Sequence, residues 1–346
     1  MTEPTYRMPA EREAQAGTWL AWPHERGDWP GKFGPIRWVY AEIIRTLTRH
    51  QPVFLIVRDA KHQNEAGKFL KAAATDLSAV HFVECDTDRS WMRDAGPIFI
   101  LDDQGKKVAL DWRFNAWAKY DNWTKDDLIP ATCAAERGLP CIQPMHAGRR
   151  VVLEGGSIDV NGAGLLLTTE ECLLSDVQER NPGFSRGDYE AVFKQYLGIE
   201  KTIWLHKGIV GDDTHGHIDD IARFVNPTTI LAVLETNEAD ENFALLRENH
   251  ERLQSATNRQ AKPLTIRTLP MPAPVVFRRT RLPASYANFL IANGVVIVPT
   301  FNDAKDREAL GVIADCFPDR EVVGIHCGDL IWGLGTLHCM TQQEPE

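Results

Sequence analysis

Apolar residues recur along this chain in short runs of four or five, and the runs come in pairs separated by turn signals. Pro97-Ile-Phe-Ile-Leu101 and Val108-Ala-Leu-Asp-Trp112 flank Asp102-Asp-Gln-Gly105. Ser157-Ile-Asp-Val160 and Leu165-Leu-Leu-Thr-Thr169 flank Asn161-Gly-Ala-Gly164. Ile221-Ala-Arg-Phe-Val225 and Ile230-Leu-Ala-Val-Leu234 flank Asn226-Pro227, and Phe289-Leu-Ile-Ala292 and Val295-Val-Ile-Val298 flank Asn293-Gly294. Runs of this length bounded by Asn, Gly and Pro predict four β-hairpins. Behind three of them the period lengthens to that of a helix, over 189–197, 239–253 and 306–316. One further strand then follows each, at 202–205, 264–266 and 321–325. Residues 35–50, with Ile36, Val39, Tyr40, Ile43, Ile44 and Leu47 apolar, predict an amphipathic helix ahead of a buried strand at Val53–Val57.

The repeating unit is therefore β-β-α-β. Asp94 precedes the first hairpin, Glu154 the second, His217 and Asp219 stand at the head of the third, Asn288 at the fourth, and Cys339 follows the last strand. From Asp94 onward the intervals to Glu154, His217, Asn288 and Cys339 are 60, 63, 71 and 51 residues. If like positions of a radial repeat point toward one axis, these side chains meet at its centre. The expected fold is an α/β five-bladed propeller of ββαβ units with pseudo-fivefold symmetry, a single domain over 1–346. The strand Thr18-Trp-Leu-Ala-Trp22 completes the unit to which Cys339 belongs. Repetition of this kind also shields the edges of five small sheets. A doubly wound parallel sheet fits less well, because hairpins outnumber single crossovers. Residues 113–150 and 268–284 read as surface loops able to cover a substrate.

Composition narrows the partners. The chain has 346 residues, 43% of them hydrophobic, and a formal net charge of -10, which disfavours nucleic acid and anionic membranes and suits a small cation. No apolar run reaches membrane-spanning length. Seven cysteines in no CxxC arrangement, with no signal-like apolar stretch after Met1, predict reduced thiols and a cytoplasmic location. A homodimer is left open.

The reactive residues can be read two ways. Cys339, in Gly333-Leu-Gly-Thr-Leu-His-Cys339, is a candidate nucleophile, because glycines allow close backbone approach to a ligand. A buried structural cysteine is the bland alternative. Asp94 beside Arg93 could be a plain ion pair, with Asp88 a rival for its role, and Glu154-Gly-Gly could be only a turn. Trp91 could be core. His215 and His217 with Asp212, Asp213, Asp219 and Asp220 could form a metal cluster, although no further ligand set stands at metal-type spacing.

Taken together, Met8-Pro-Ala-Glu11, Trp19-Leu-Ala-Trp-Pro23, Trp91-Met-Arg-Asp-Ala-Gly-Pro97, Glu154-Gly-Gly-Ser157, Asp212-Asp-Thr-His-Gly-His-Ile-Asp219, Ser285-Tyr-Ala-Asn288 and His338-Cys-Met-Thr-Gln-Gln343 resemble, in order and spacing, the guanidine-modifying superfamily. Within it they resemble the agmatine deiminases, relatives of the Porphyromonas-type peptidylarginine deiminases. Leu334 and Thr336 depart from the successive glycines and asparagine common there before the His-Cys pair.

The resemblance implies hydrolysis of a guanidinium to a urea with release of ammonia, without metal or organic cofactor. Cys339 would be the nucleophile and His217 the acid and base. Glu154 would bind guanidinium and histidine together, with Asp94 and Asp219 as bidentate acceptors. Trp91, Asn288 and Asp213 would bind the substrate. Agmatine is the substrate so implied; free or peptidyl arginine stays open, with Arg113, Arg149 and Arg150 as candidates for reading a carboxylate. So does a metal-dependent guanidino hydrolase or a non-catalytic cation-binding propeller. Three carboxylates near the thiol would suppress its ionisation, so the cationic substrate is expected to help generate the thiolate.

Overall fold

The computed structural model describes residues 5–346. The fold is mixed α/β, and its strands fall into five main sheets and two short hairpins. Four of the sheets repeat one connection. Two antiparallel strands are followed by a helix and then by a strand parallel to the second. The strands are Ile98–Leu101, Lys107–Leu110 and Cys141–Ile142 in the first, then Asp159–Val160, Leu165–Thr169 and Lys201–Leu205. Ala222–Asn226, Thr229–Leu234 and Thr265–Pro270 form the third, and Leu290–Ala292, Val295–Thr300 and Glu321–His326 the fourth. The intervening helices are Ile129–Arg137, Arg186–Leu197, Asn242–Gln254 and Asp306–Cys316.

The fifth sheet is assembled from the two ends of the described chain. Gln342–Pro345 runs antiparallel to Gln15–Ala21, which lies parallel to Val53–Val57 across the helix Phe33–Leu47. A further helix, Ala60–Ala72, and strand, Val80–Glu84, extend it by one. The strand predicted at Thr18–Trp22 thus joins the segment carrying Cys339. The helix Ile129–Arg137 lies within the stretch expected to be loop. Its period is weak because it buries only Ile129, Pro130, Cys133 and Ala134.

The hydrophobic runs lack simple alternation because both sheet faces are covered, and successive side chains serve different cores. Ile98 and Ile100 pack into a cluster shared with the second sheet, whereas Phe99 between them packs into one shared with the fifth. Leu166 joins the first of these clusters while Leu165 and Leu167 face the third sheet. Local chemistry sets the boundaries. Ser185 and Asp188 form a reciprocal capping box, and Gly198 at φ 70° stops the same helix. No helix among the described residues is long and apolar enough to cross a membrane.

Candidate active site

Each sheet begins just after a short turn that carries a candidate residue. Asp94 lies in the helical turn Met92–Ala95, Glu154 immediately before Gly155–Ser157, and His217 and Asp219 at Ile218–Asp220. Asn288 precedes Leu290 and Cys339 precedes Gln342. All six are buried.

The turns bring these side chains together. His217 Nδ1 is 3.8 Å from Asp94 Oδ1, and its Nε2 is 3.9 Å from Glu154 Oε2. Among the described residues neither ring nitrogen has a hydrogen-bond partner, nor do Glu154 Oε2 and Asp219 Oδ1, so these buried polar atoms stand available to a ligand. The sulfur of Cys339 lies 3.8 Å from Asp219 Oδ2 and 3.1 Å from Asn288 Nδ2. The glycines after Glu154 make the approach feasible. A Cβ on Gly156 would stand 2.5 Å from His217 Nδ1 and 2.8 Å from Asp94 Oδ1. Gly335 likewise admits Trp91 and Cys339, which its Cβ would meet at 2.6 and 3.0 Å.

A cavity of about 450 Å³ opens onto this cluster, in the range of small-molecule sites. Asp94, Cys339, Trp91 and Asp213 line it, with Trp117, Asp28 and the Gly333–Gly335 turn. Trp91 stacks on Trp29 at 5.5 Å and donates its indole N–H to Asp28 at 3.0 Å. Asp213 accepts from Lys119 at 2.5 Å and Tyr120 at 2.7 Å. The lining carries Glu25, Asp28, Asp94 and Asp213 against one arginine, Arg89, which pairs with Asp28.

Charge in the cluster is uneven. Burial would raise Glu154, but Arg180 and His217 outweigh it and hold the carboxyl at about 2. Burial pushes Asp94 up to about 6, with Asp219 and Glu154 adding to the rise. Burial opposes the charged form of His217, yet Asp94, then Cys172 and Glu154, hold its pKa well above the usual imidazole range. Burial, then Asp219, Asp220 and Asp94, push the Cys339 thiol well above its ordinary value.

The Porphyromonas-type peptidyl-arginine deiminase family model matches residues 7–345. This chain belongs to that family. An agmatine deiminase of Ectopseudomonas mendocina is 32% identical, over 98% of this chain and 95% of the relative. Among solved structures, an Enterococcus faecalis agmatine deiminase superposes with a TM-score of 0.90 at 30% identity, covering 100% of this chain and 99% of that one. A C. jejuni agmatine deiminase with substrate bound gives 0.89 at 29% identity, covering 100% and 98%.

Within this member of the deiminase family several predicted residues stand elsewhere than the sequence suggested. Of the clustered residues Asp94 and Cys339 line the cavity, whereas Glu154, His217, Asp219 and Asn288 do not, and the Asn288 amide nitrogen points at the Cys339 sulfur. Asp88 accepts from the Lys125 backbone at 2.9 Å and does not rival Asp94. Arg150 is engaged by Asp111 and Asp127, Arg149 reaches the Pro182 carbonyl at 3.0 Å, and Arg113 lies over Trp123. None of these three lines the cavity. The carboxylate of Asp212 is occupied by the backbone N–H groups of Thr214, Gly216 and His217, and His215 faces Ser175. The metal cluster read around them is therefore not assembled. Among the described residues the set that could hold an ion is Glu154, Cys172 and His217, whose ligand atoms lie within 4.8 Å of one another.

Four contributors were not legible as such. Arg180 donates to Glu154 at 3.0 Å, and an isolated arginine carries no sequence signal. Trp117 donates to Asp94 Oδ2 at 2.9 Å from a left-handed turn in which Ala116, Trp117 and Ala118 all have positive φ. His338 places Nδ1 2.7 Å from Asp219 and Nε2 2.8 Å from Glu11. Glu11 is also bound by Arg223, itself fully buried and 2.6 Å from Asp159. Glu11 and His338 belong to motifs quoted above, so their presence was visible although their contact was not.

Proposed function

We propose that this protein hydrolyses agmatine to N-carbamoylputrescine and ammonia through a covalent intermediate on Cys339. The observation that carries the reading is the convergence of that sulfur, His217 and the carboxylates of Asp94, Glu154 and Asp219 beside one acidic cavity. A planar guanidinium offers its N–H groups to carboxylates, so Asp94, Asp219 and the unpartnered oxygen of Glu154 form its seat. The bound cation drives the proton of the Cys339 thiol off to solvent; the thiolate attacks the guanidinium carbon, forming a C–S bond, and His217 passes its own proton to the departing nitrogen as the C–N bond breaks. Water then adds to the amidino adduct and gives a proton back to His217. As the C–S bond breaks, the adduct's remaining hydroxyl proton leaves to solvent, where the released ammonia takes it up, so that the neutral urea departs and the thiolate is restored. Arg180 keeps Glu154 ionised through both halves.

Substrate choice follows from the lining. A carboxylate-bearing substrate would meet Glu25, Asp28 and Asp213, and the one lining arginine is already taken by Asp28. A substrate ending in an amine instead meets a lining whose carboxylates outnumber its cations, with Asp213, already paired to Lys119, and Trp91 as binding side chains. Ammonia release from agmatine, arginine and a blocked arginine peptide, with Cys339→Ala and a chelator as controls, tests this. Agmatine alone should turn over, Cys339→Ala should be inactive and the chelator without effect. Release from arginine at a comparable rate, or full activity in Cys339→Ala, would overturn it.

The same reading takes residues 1–346 as one domain, of which residues 1–4 lie outside the described part. Its five sheets would close into a five-bladed propeller with pseudo-fivefold symmetry. The sharing of cores supports closure: one cluster joins the first and second sheets, another the second, third and fourth, and another the fourth, fifth and first.

A further inference from the structure

We infer that the side-chain amide of Asn288 stabilises the ionised sulfur of Cys339, and that Thr336 is the positioning residue that holds this amide in place. The inference rests on Cys339 as the nucleophile and assigns a function to two residues at the same site.

The orientation of Asn288 is fixed by its surroundings. Its Oδ1 accepts from the His338 backbone N–H at 3.1 Å and faces the Thr336 hydroxyl at 2.7 Å. A backbone N–H can only donate, so the oxygen must occupy that side; the flipped amide would set N–H against N–H. The nitrogen is thereby turned to Asp220 Oδ1 and to the Cys339 sulfur, both at 3.1 Å. With two hydrogens and two acceptors, the amide has one N–H directed at the sulfur.

That N–H is what the sulfur otherwise lacks. The other hydrogen-bond contact of Cys339 Sγ among the described residues is Asp219 Oδ2 at 3.8 Å, an acceptor. Asp94, Asp219 and Asp220 all oppose its ionisation, and burial does so most. A neutral donor aimed at the sulfur favours thiolate over thiol, and it does so before substrate arrives. Thr336 is buried, and its hydroxyl supplies the second hydrogen bond that keeps the Asn288 oxygen turned away.

The test is the pH dependence of iodoacetamide alkylation at Cys339, read on the Cys339 peptide of the full chain, beside steady-state ammonia release. Asn288→Leu should slow alkylation near neutral pH about tenfold or more, the size expected of a hydrogen bond to a charged group, and move its midpoint up. Thr336→Val should move it the same way by less, and Thr336→Ser should restore it. Turnover should fall in kcat with KM little changed. An unchanged midpoint in Asn288→Leu, or Thr336→Ser behaving as Thr336→Val, would overturn the inference, as would a loss confined to KM. Should Asn288→Leu not fold, the Val and Ser variants at 336 decide. Alkylation needs no turnover, so wild-type protein that releases no ammonia but shows these shifts would defeat the deiminase reading alone.

Discussion

Arg180 Nε donates to Oε1 of Glu154 at 3.0 Å, and neither side chain is exposed. The pair holds one carboxylate charged in the least hydrated part of the site, where it would otherwise protonate. Arg180→Met should therefore cost about 3–5 kcal/mol in denaturant unfolding, the usual penalty for orphaning a buried charge. The sign with pH is definite. Glu154 sits at about 2 when folded against an ordinary value of 4.5, so its contribution is fully present above pH 4.5 and is lost as pH falls toward 2. The difference between wild type and variant should shrink over that window; a constant difference would contradict it.

Binding of a guanidinium ligand should weaken as pH falls through about 6. Asp94 is held near that value, chiefly by burial, and its protonation removes a charge from the seat. Titration of agmatine into Cys339→Ser protein by calorimetry, repeated over pH, should show proton release below this point. Trp117→Phe deletes the N–H donated to Asp94 and should move the midpoint upward.

Gly156→Ala should reduce turnover by about two orders of magnitude or more, because its methyl would displace both His217 and Asp94. A misplacement of about 1 Å is worth roughly a hundredfold in rate. Stability should fall less, by about 1–3 kcal/mol. Comparing kcat with the unfolding midpoint separates the two effects.

Glu11→Gln should weaken both the fold and the reaction although Glu11 does not line the cavity. Its carboxylate is shared by Arg223, His338 and the Ile291 backbone N–H, and burial is outweighed there by the Arg223 guanidinium and the contact with His338, which hold it well below the carboxylate range. Losing that charge loosens His338, which bonds Asp219. A loss of about 3–5 kcal/mol is expected from denaturant unfolding, with a lower kcat.

A small guanidinium ion should lower the apparent midpoint of Cys339 alkylation. Carboxylates outnumber cations near the sulfur, and a bound cation offsets their field. Identical midpoints with and without the ion would end the idea of substrate-assisted activation.

Periodicity along the chain was enough to place the four hairpins, four of the eight α-helices among the described residues and the strand at Thr18–Trp22, because turn residues and apolar spacing are local properties. Spacing between units likewise put Asp94, Glu154, His217, Asn288 and Cys339 at like positions, since a repeat leaves its period in sequence. Contacts made by single residues across distant turns left no such trace. Only the tertiary structure turned the amide of Asn288 onto the sulfur, set Arg180 against Glu154 and joined Glu11 to His338 across 327 positions. It also took Arg113, Arg149 and Arg150 out of contention, by giving each a partner away from the cavity. The division is physical: local sequence governs backbone conformation, whereas the pairing of buried charges is decided by which turns the packed cores bring within a few ångströms.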